Sequence, residues 1–148
     1  MPRQCLWAAI GYPGRLRGEP MAVLTEVSWG ELIDKYTILA IKAERIQDPA
    51  KLKNIRTEMA ALSAARQQAL GLNAALAAAE ARLKAINEKL WDIEDHIRDC
   101  ERAQDFGPRF VELARAVYFT NDERSAVKRE INSLLGSGLV EEKSYQPY

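Results

Sequence analysis

Histidine is nearly missing from these 148 residues, and His96 is the only one. The two cysteines, Cys5 and Cys100, stand far apart and make no CxxC or Cys/His spacing. Zinc sites and Cys–His or Ser–His–Asp mechanisms need several such groups within bonding reach, so those classes lack their parts here. His96 reads instead as a polar residue beside an apolar helix seam. A surplus of either charge is missing too. Lys and Arg number 21 and Asp and Glu 21, which removes the electrostatic argument for a nucleic-acid partner or an anionic membrane surface. No apolar run approaches the ~18 residues of a membrane span. HExxH, P-loop and Rossmann glycine patterns do not occur. The "DFG" at 105–107 stands without any other kinase element.

Glycine and proline are scarce outside the start of the chain. The first 20 residues, "MPRQCLWAAIGYPGRLRGEP", hold three of the eight glycines and three of the six prolines. They are expected to be a disordered or wrongly assigned extension, with translation beginning at Met21. A signal peptide is the alternative, but no small-residue cleavage site follows "CLWAAIG" cleanly. Residues 21–148 read as one helical domain with an extended C-terminal tail. A reducing cytoplasm is the expected compartment.

Apolar residues make up 47% of the chain, with Ala, Leu, Glu, Lys and Arg abundant, a composition of packed helices. The pattern predicts an all-α antiparallel helical bundle with a long, coiled-coil-like, protruding hairpin. Ser28 and Glu31 in "VSWGE" form a capping box that opens the first helix, and Val27 and Leu32 are spaced as a hydrophobic staple. Trp29, Leu32, Tyr36, Leu39, Ala43 and Ile46 then repeat as a seam, leaving Ile38 and Ile41 outside it. Asp48 and Pro49 open a second helix with Leu52, Ile55, Met59 and Leu62 inward. Alanine fills half of residues 60–81, which favours helix and close approach.

Gly71 and Asn73 predict a hairpin turn, because the stripes before and after them are out of phase; one long helix with a stammer is the alternative. The third helix, about 73–104, carries Leu76, Ala79, Leu83, Ile86, Leu90, Ile93, Ile97 and Cys100. Pro108 opens the fourth, with Phe110, Leu113, Val117, Val127, Ile131 and Leu134 facing the core, and Gly136 ends it. Leu139, Val140, Tyr145 and Tyr148 are available to dock the tail.

Carboxylates supply one candidate chemistry. Glu88, Asp92, Asp95 and Asp99 follow helical spacing, and Glu31 and Asp34 make an E-x-x-D pair of the kind that holds Mg²⁺ in all-α nucleotide pyrophosphohydrolases. Their phase against the seams turns all six outward, so no metal and no cofactor is expected, with Glu31 and Asp34 the alternative.

Thr120 and Arg124 interrupt the fourth helix's apolar stripe. A core-facing guanidinium needs a partner; Glu94 is a candidate, with Asp34 and Glu44 as others. One reading is a buried ionic layer that fixes helix register. The other is a donor strip, Arg115, Asn121, Arg124 and Lys128, for an anionic ligand. Trp91, Tyr118, Phe119, Ile38 and Ile41 lie off the seams and predict a second interface, with another copy or a helical protein. The neighbouring acids argue against nucleic acid.

Three segments, "EVSWGELIDKYTILAIKAERI", "LWDIEDHIR" and "ELARAVYFTNDERSAVKREIN" with its "EEKSY" tail, resemble a bacterial family of small helical proteins of unknown function. Ala40 stands where that family is expected to carry a longer, often acidic residue. Genes of that family often lie near glycosyltransferase or lipopolysaccharide-assembly genes. The resemblance implies a helical fold and an accessory or scaffold role in cell-envelope polysaccharide assembly. The competing expectation is a small helical enzyme or nucleotide-sugar binder built on the Arg/Asn/Lys strip, with Mg²⁺ supplied through Glu31 and Asp34.

Overall fold

A computed structural model describes residues 23–148; the expectations for residues 1–20, and for Cys5 within them, lie outside that range. Four helices follow in order: α1 (Trp29–Arg45), α2 (Pro49–Leu72), α3 (Leu76–Ala103) and α4 (Pro108–Leu135). Among the described residues there is no strand. The chain is an all-α bundle in which α3 and α4 share the largest interface, α1 packs on the other three helices, and α2 leans on α1 and touches α3 sparsely. Arg82 pairs with Glu130 and Lys89 with Glu123, so α3 and α4 run antiparallel.

The punctuation in the sequence sets the helix ends. Asp48 caps α2 by accepting from the Ala50 and Lys51 amides at 2.9 and 3.0 Å, which pulls its carboxyl below the ordinary aspartate range. Pro49 follows at the first helical position. Gly136 ends α4 in the left-handed region at φ 62°, where a side chain would be strained. The start of α1 differs from expectation. Ser28 Oγ accepts from the Glu31 amide at 3.2 Å, but the Glu31 carboxylate reaches Lys128 on α4, so the helix keeps half of the capping box.

The predicted hairpin break between α2 and α3 is present, and it does not protrude. Asn73 Oδ1 accepts from the Ala75 amide at 2.9 Å, while its Nδ2 donates to the Leu134 carbonyl at 3.2 Å, fastening the turn to the end of α4. Alanine-rich surfaces let this end close down. Ile33, Ala69, Leu76, Ala79, Leu83, Val127 and Ile131 form one buried cluster there, with Trp29, Leu32, Ile86 and Leu134 packed against it. Each large aliphatic side chain so buried contributes roughly 1.5–3 kcal/mol.

On α3 the expected seam holds at Leu76, Ala79, Leu83, Ile93 and Cys100, which are buried, while Ile86, Leu90 and Ile97 are half-buried and Glu80 and Asn87 are buried beside them. α1 departs from its predicted seam. Its buried residues are Gly30, Ile33, Asp34, Thr37, Leu39 and Ile41, a stripe rotated by about one residue, while Trp29, Leu32 and Tyr36 are only half-buried. Two corrections follow from that rotation. Asp34 points into the bundle at 1% exposure, not outward, and Ile41, expected at an intermolecular surface, is buried within the chain. Gly30 explains the rotation. A Cβ there would meet the Lys128 carbonyl oxygen at 2.6 Å, so α1 and α4 cross at a point only glycine permits.

Candidate functional site

Where α1, α3 and α4 meet beyond the apolar cluster, the interior turns polar. Asp34, Thr37, Asn87, Thr120, Ser125, Lys128 and Asn132 are all buried. The Asp34 carboxylate is the hub. Arg124 clamps it through two edges: Nε donates to Oδ1 at 2.9 Å, and Nη2 donates to Oδ2. Asn87 Nδ2 donates to the same Oδ1 at 2.9 Å and to Thr37 Oγ1 at 3.0 Å; Thr37 Oγ1 in turn donates to the Asp34 backbone carbonyl at 2.8 Å. A buried carboxylate is tolerable only when its lone pairs are occupied in this way. The charge-assisted bonds to Asp34 raise the Arg124 pKa above the ordinary arginine range, against the opposing effect of burial.

One turn further along α4, Lys128 Nζ sits among three carboxylates. It donates to Glu31 Oε2 at 2.7 Å and to Glu141 Oε2 at 2.5 Å, and lies 3.9 Å from Asp34 Oδ2. Burial pushes the lysine pKa down; the hydrogen bonds to Glu141 and Glu31 and the nearby charges of Asp34 and Glu31 together outweigh it, leaving it raised. The Glu141 carboxyl is correspondingly lowered, first by its hydrogen bond from Lys128. Glu141 belongs to the tail, so this lysine ties α1, α4 and the C-terminal segment together. Two other buried groups have no partner among the described residues, Thr120 Oγ1 and Asn132 Nδ2, although Asn132 Oδ1 accepts from the Gly30 amide at 2.7 Å.

The predicted donor strip divides. Arg124 and Lys128 come together around Asp34, whereas Arg115 is exposed with its guanidinium 5.9 Å above the Phe119 ring. Asn121 is half-buried, and its backbone carbonyl accepts from Ser125 Oγ. Glu94 does not pair with Arg124 but with Arg98, four residues along its own helix, at 3.2 Å; Glu44 pairs with Lys84. Glu31 and Asp34 do converge on one point, and the ammonium of Lys128 holds it, where a divalent cation would have to sit. Among the described residues no group of histidine, cysteine, aspartate and glutamate side chains is arranged to hold a metal ion. Asn87, Thr37 and Glu141 were not singled out in the sequence. Their signal is faint, a polar residue at a buried helical position, and only α4 showed it clearly.

The predicted interface residues separate as well. Ile38, Ile41 and Trp91 line a cavity of about 380 Å³ together with Leu90, Asn87 and Arg124. Trp91 is half-buried, with the Arg45 guanidinium 5.6 Å above it. Tyr118 and Phe119 are exposed on α4 and gather the tail's last residue: the Tyr148 ring lies 5.2 and 4.7 Å from theirs, and its hydroxyl donates to Asp122 at 2.5 Å. That bond raises the Tyr148 pKa. Leu139, Val140 and Tyr145 of the tail stay exposed. Among the described residues no helix is long and apolar enough to cross a membrane.

The chain belongs to a family of unknown function, DUF6165, which matches residues 23–148. No curated protein and no solved structure matches it.

Proposed function

We propose that this member of a family of unknown function is a non-enzymatic helical adaptor, a rigid bundle whose outer surfaces engage other proteins. One observation carries the reading. The residues best equipped for chemistry are spent on one another: Arg124 and Lys128 face Asp34, Glu31 and Glu141, an internally paired layer that, with Asn87 of α3 bonded to Asp34, locks three helices and the tail. Large apolar side chains, by contrast, stand in the open at Phe106, Val111, Tyr118 and Phe119 along α4 and the loop before it. A solvent-facing apolar stripe on an otherwise closed bundle is the usual mark of protein recognition. A place in cell-envelope polysaccharide assembly joins this proposal through the sequence resemblance alone.

A second reading has one specific observation in its favour. Asp34 takes only the Nε and Nη2 edge of Arg124, and Arg124 lines the cavity beside Trp91 and Arg98, with Glu94 and Asp95 also on its wall and Glu94 paired to Arg98. A small anion with an apolar body fits that chemistry. Thermal unfolding with inorganic phosphate, Mg²⁺-ATP or a nucleoside-diphosphate sugar separates the two. An adaptor shows an unchanged Tm. A ligand at 100 times its Kd adds about 2.7 kcal/mol, several degrees in a domain of this size, and such a rise overturns the non-enzymatic reading.

A further inference from the structure

Two polar groups on the wall of one cavity have hydrogen-bonding capacity left over. Asn87 is only 6% exposed, and with Arg124 it lines the cavity between α1, α3 and α4. A carboxylate can only accept, so Asp34 fixes the Asn87 amide with Nδ2 turned toward Asp34 and Thr37. Asn87 Oδ1 then receives no donor among the described residues. The Arg124 guanidinium is held in the same way. Its Nε and Nη2 donate to Asp34, and Nη1 has no acceptor among the described residues. Neither atom is sealed off as the Thr120 hydroxyl is, and both residues open on the cavity. Ile38, Leu90 and Trp91, all half-buried, add an apolar wall. One acceptor and one donor in an apolar recess of about 380 Å³ call for a ligand with an N–H and a C=O beside an apolar body.

From these two free edges we infer that the cavity is the docking site for one apolar residue of an extended peptide segment in a partner protein. An extended residue turns its own N–H and C=O to the same edge of the strand, the arrangement that paired strands use, while its side chain stands across them. The C=O accepts from Arg124 Nη1, the N–H donates to Asn87 Oδ1, and the side chain packs on Ile38, Leu90 and Trp91. Charge favours this neutral head over the small anion considered above. Asp34 balances Arg124, Glu94 balances Arg98 and Asp92 balances Arg45. Asp95, also on the wall, has no ion-pair partner among the described residues and leaves one negative charge over. The inference rests on the adaptor reading and gives its partner a recessed contact, separate from the apolar stripe of α4.

Two probes of nearly the same shape test it, neutral N-acetyl-leucinamide and the anion N-acetyl-leucine, each titrated into the isotope-labelled full chain. The NMR signals read are the Trp91 indole N–H and the Arg124 Nε–H. A ligand as small as the amide is expected to bind with a Kd on the order of 1–10 mM. The anion is expected to bind at least about threefold more weakly. Asp95→Lys, at an exposed position, reverses the spare charge and is expected to abolish that preference. Circular dichroism checks that the variant folds. N-acetyl-N-methyl-leucinamide lacks the N–H that meets Asn87 and is expected to lose at least about threefold against the parent amide. The inference is overturned if neither signal shows a saturable shift up to about 50 mM amide. An anion that binds more tightly than the amide overturns it too, and gives the cavity to the anion reading. A preference that Asp95→Lys leaves untouched, or an N-methyl amide that binds as well as the parent amide, overturns it equally. Loss of the amide response leaves the adaptor reading standing, since that reading falls only with the rise in Tm described above.

Discussion

Asp34 and Arg124 form the charged centre of the buried polar layer between α1, α3 and α4. The carboxylate side chain is 2% exposed and the arginine 28%, so the two halves of the pair carry different risks. Removing Arg124 strands a buried charge with Asn87 as its remaining hydrogen-bond donor and Lys128 at 3.9 Å. Arg124→Leu is therefore expected to cost about 3 kcal/mol in urea unfolding. Asp34→Ala should cost a similar amount, because it orphans the guanidinium and takes one of two acceptors from Asn87. The double variant is expected to lose far less stability than the sum of the two losses, since each single change mostly measures the charge left behind. Strictly additive losses would mean that the pair is not coupled in solution. Thr120, one turn before Arg124, contributes no such bond: its buried hydroxyl has no partner among the described residues.

Helix pairing depends on a single residue without a side chain. Gly30 lets the first turn of α1 rest on the Lys128 carbonyl and lets Asn132 Oδ1 reach its amide. Gly30→Ala gains helix propensity, worth up to about 1 kcal/mol. It also forces a methyl to within 2.6 Å of the Lys128 backbone oxygen, which cannot yield without moving a helix, and 3.0 Å of Asn132 Oδ1, which can turn away only by giving up its bond from the residue 30 amide. Overpacking costs about 1–3 kcal/mol, so net destabilisation is expected, read as a lower urea midpoint with unchanged helicity. An equal or raised midpoint would show that the crossing has slack.

This crossing also marks the limit of what the sequence discloses. α3 was legible because Leu76, Ala79, Leu83, Ile93 and Cys100 repeat at helical spacing, although the buried Glu80 and Asn87 between them were not, and the signals at Ser28, Asp48, Pro108 and Gly136 mark the ends of the other helices. On α1 two apolar stripes compete. The one with larger side chains, Trp29, Leu32 and Tyr36, is the less buried, since Gly30, Asp34 and Thr37 gain their burial from a contact and a hydrogen-bond network that hydropathy does not register. Arg124 was conspicuous as an interruption. Its partner was not, because the phase error on α1 turned Asp34 outward. The dispersal of Arg115 from Arg124 follows from a helix two and a half turns long between them, which sequence spacing alone does not convert into distance from a site.

At the scale of the molecule, Lys128 joins three segments that are distant in sequence, and the tail's share of that joint depends on pH. Glu141 is lowered in the folded chain by the hydrogen bond from Lys128. A carboxyl with a depressed folded pKa contributes stability that is present above its unfolded value, near 4.3 for glutamate, and lost as the pH falls through the folded one. Lys128 stays charged across this range, being raised above the ordinary lysine value. Acidification should therefore release the tail before it opens the bundle, because Glu141 is partly exposed whereas the Asp34–Arg124 pair is enclosed by three helices. Glu141→Gln is expected to lower Tm by a few degrees between pH 6 and 8, roughly the loss of one charge-assisted bond. That difference should shrink toward zero below about pH 4, where the parent carboxyl is itself protonated. Amide exchange in residues 137–148 reads the same event locally, faster in the variant at neutral pH and equal to the parent in acid. A Tm difference that persists unchanged into acid would place the contribution of Glu141 in packing, with Lys128 then held by Glu31 and Asp34 alone.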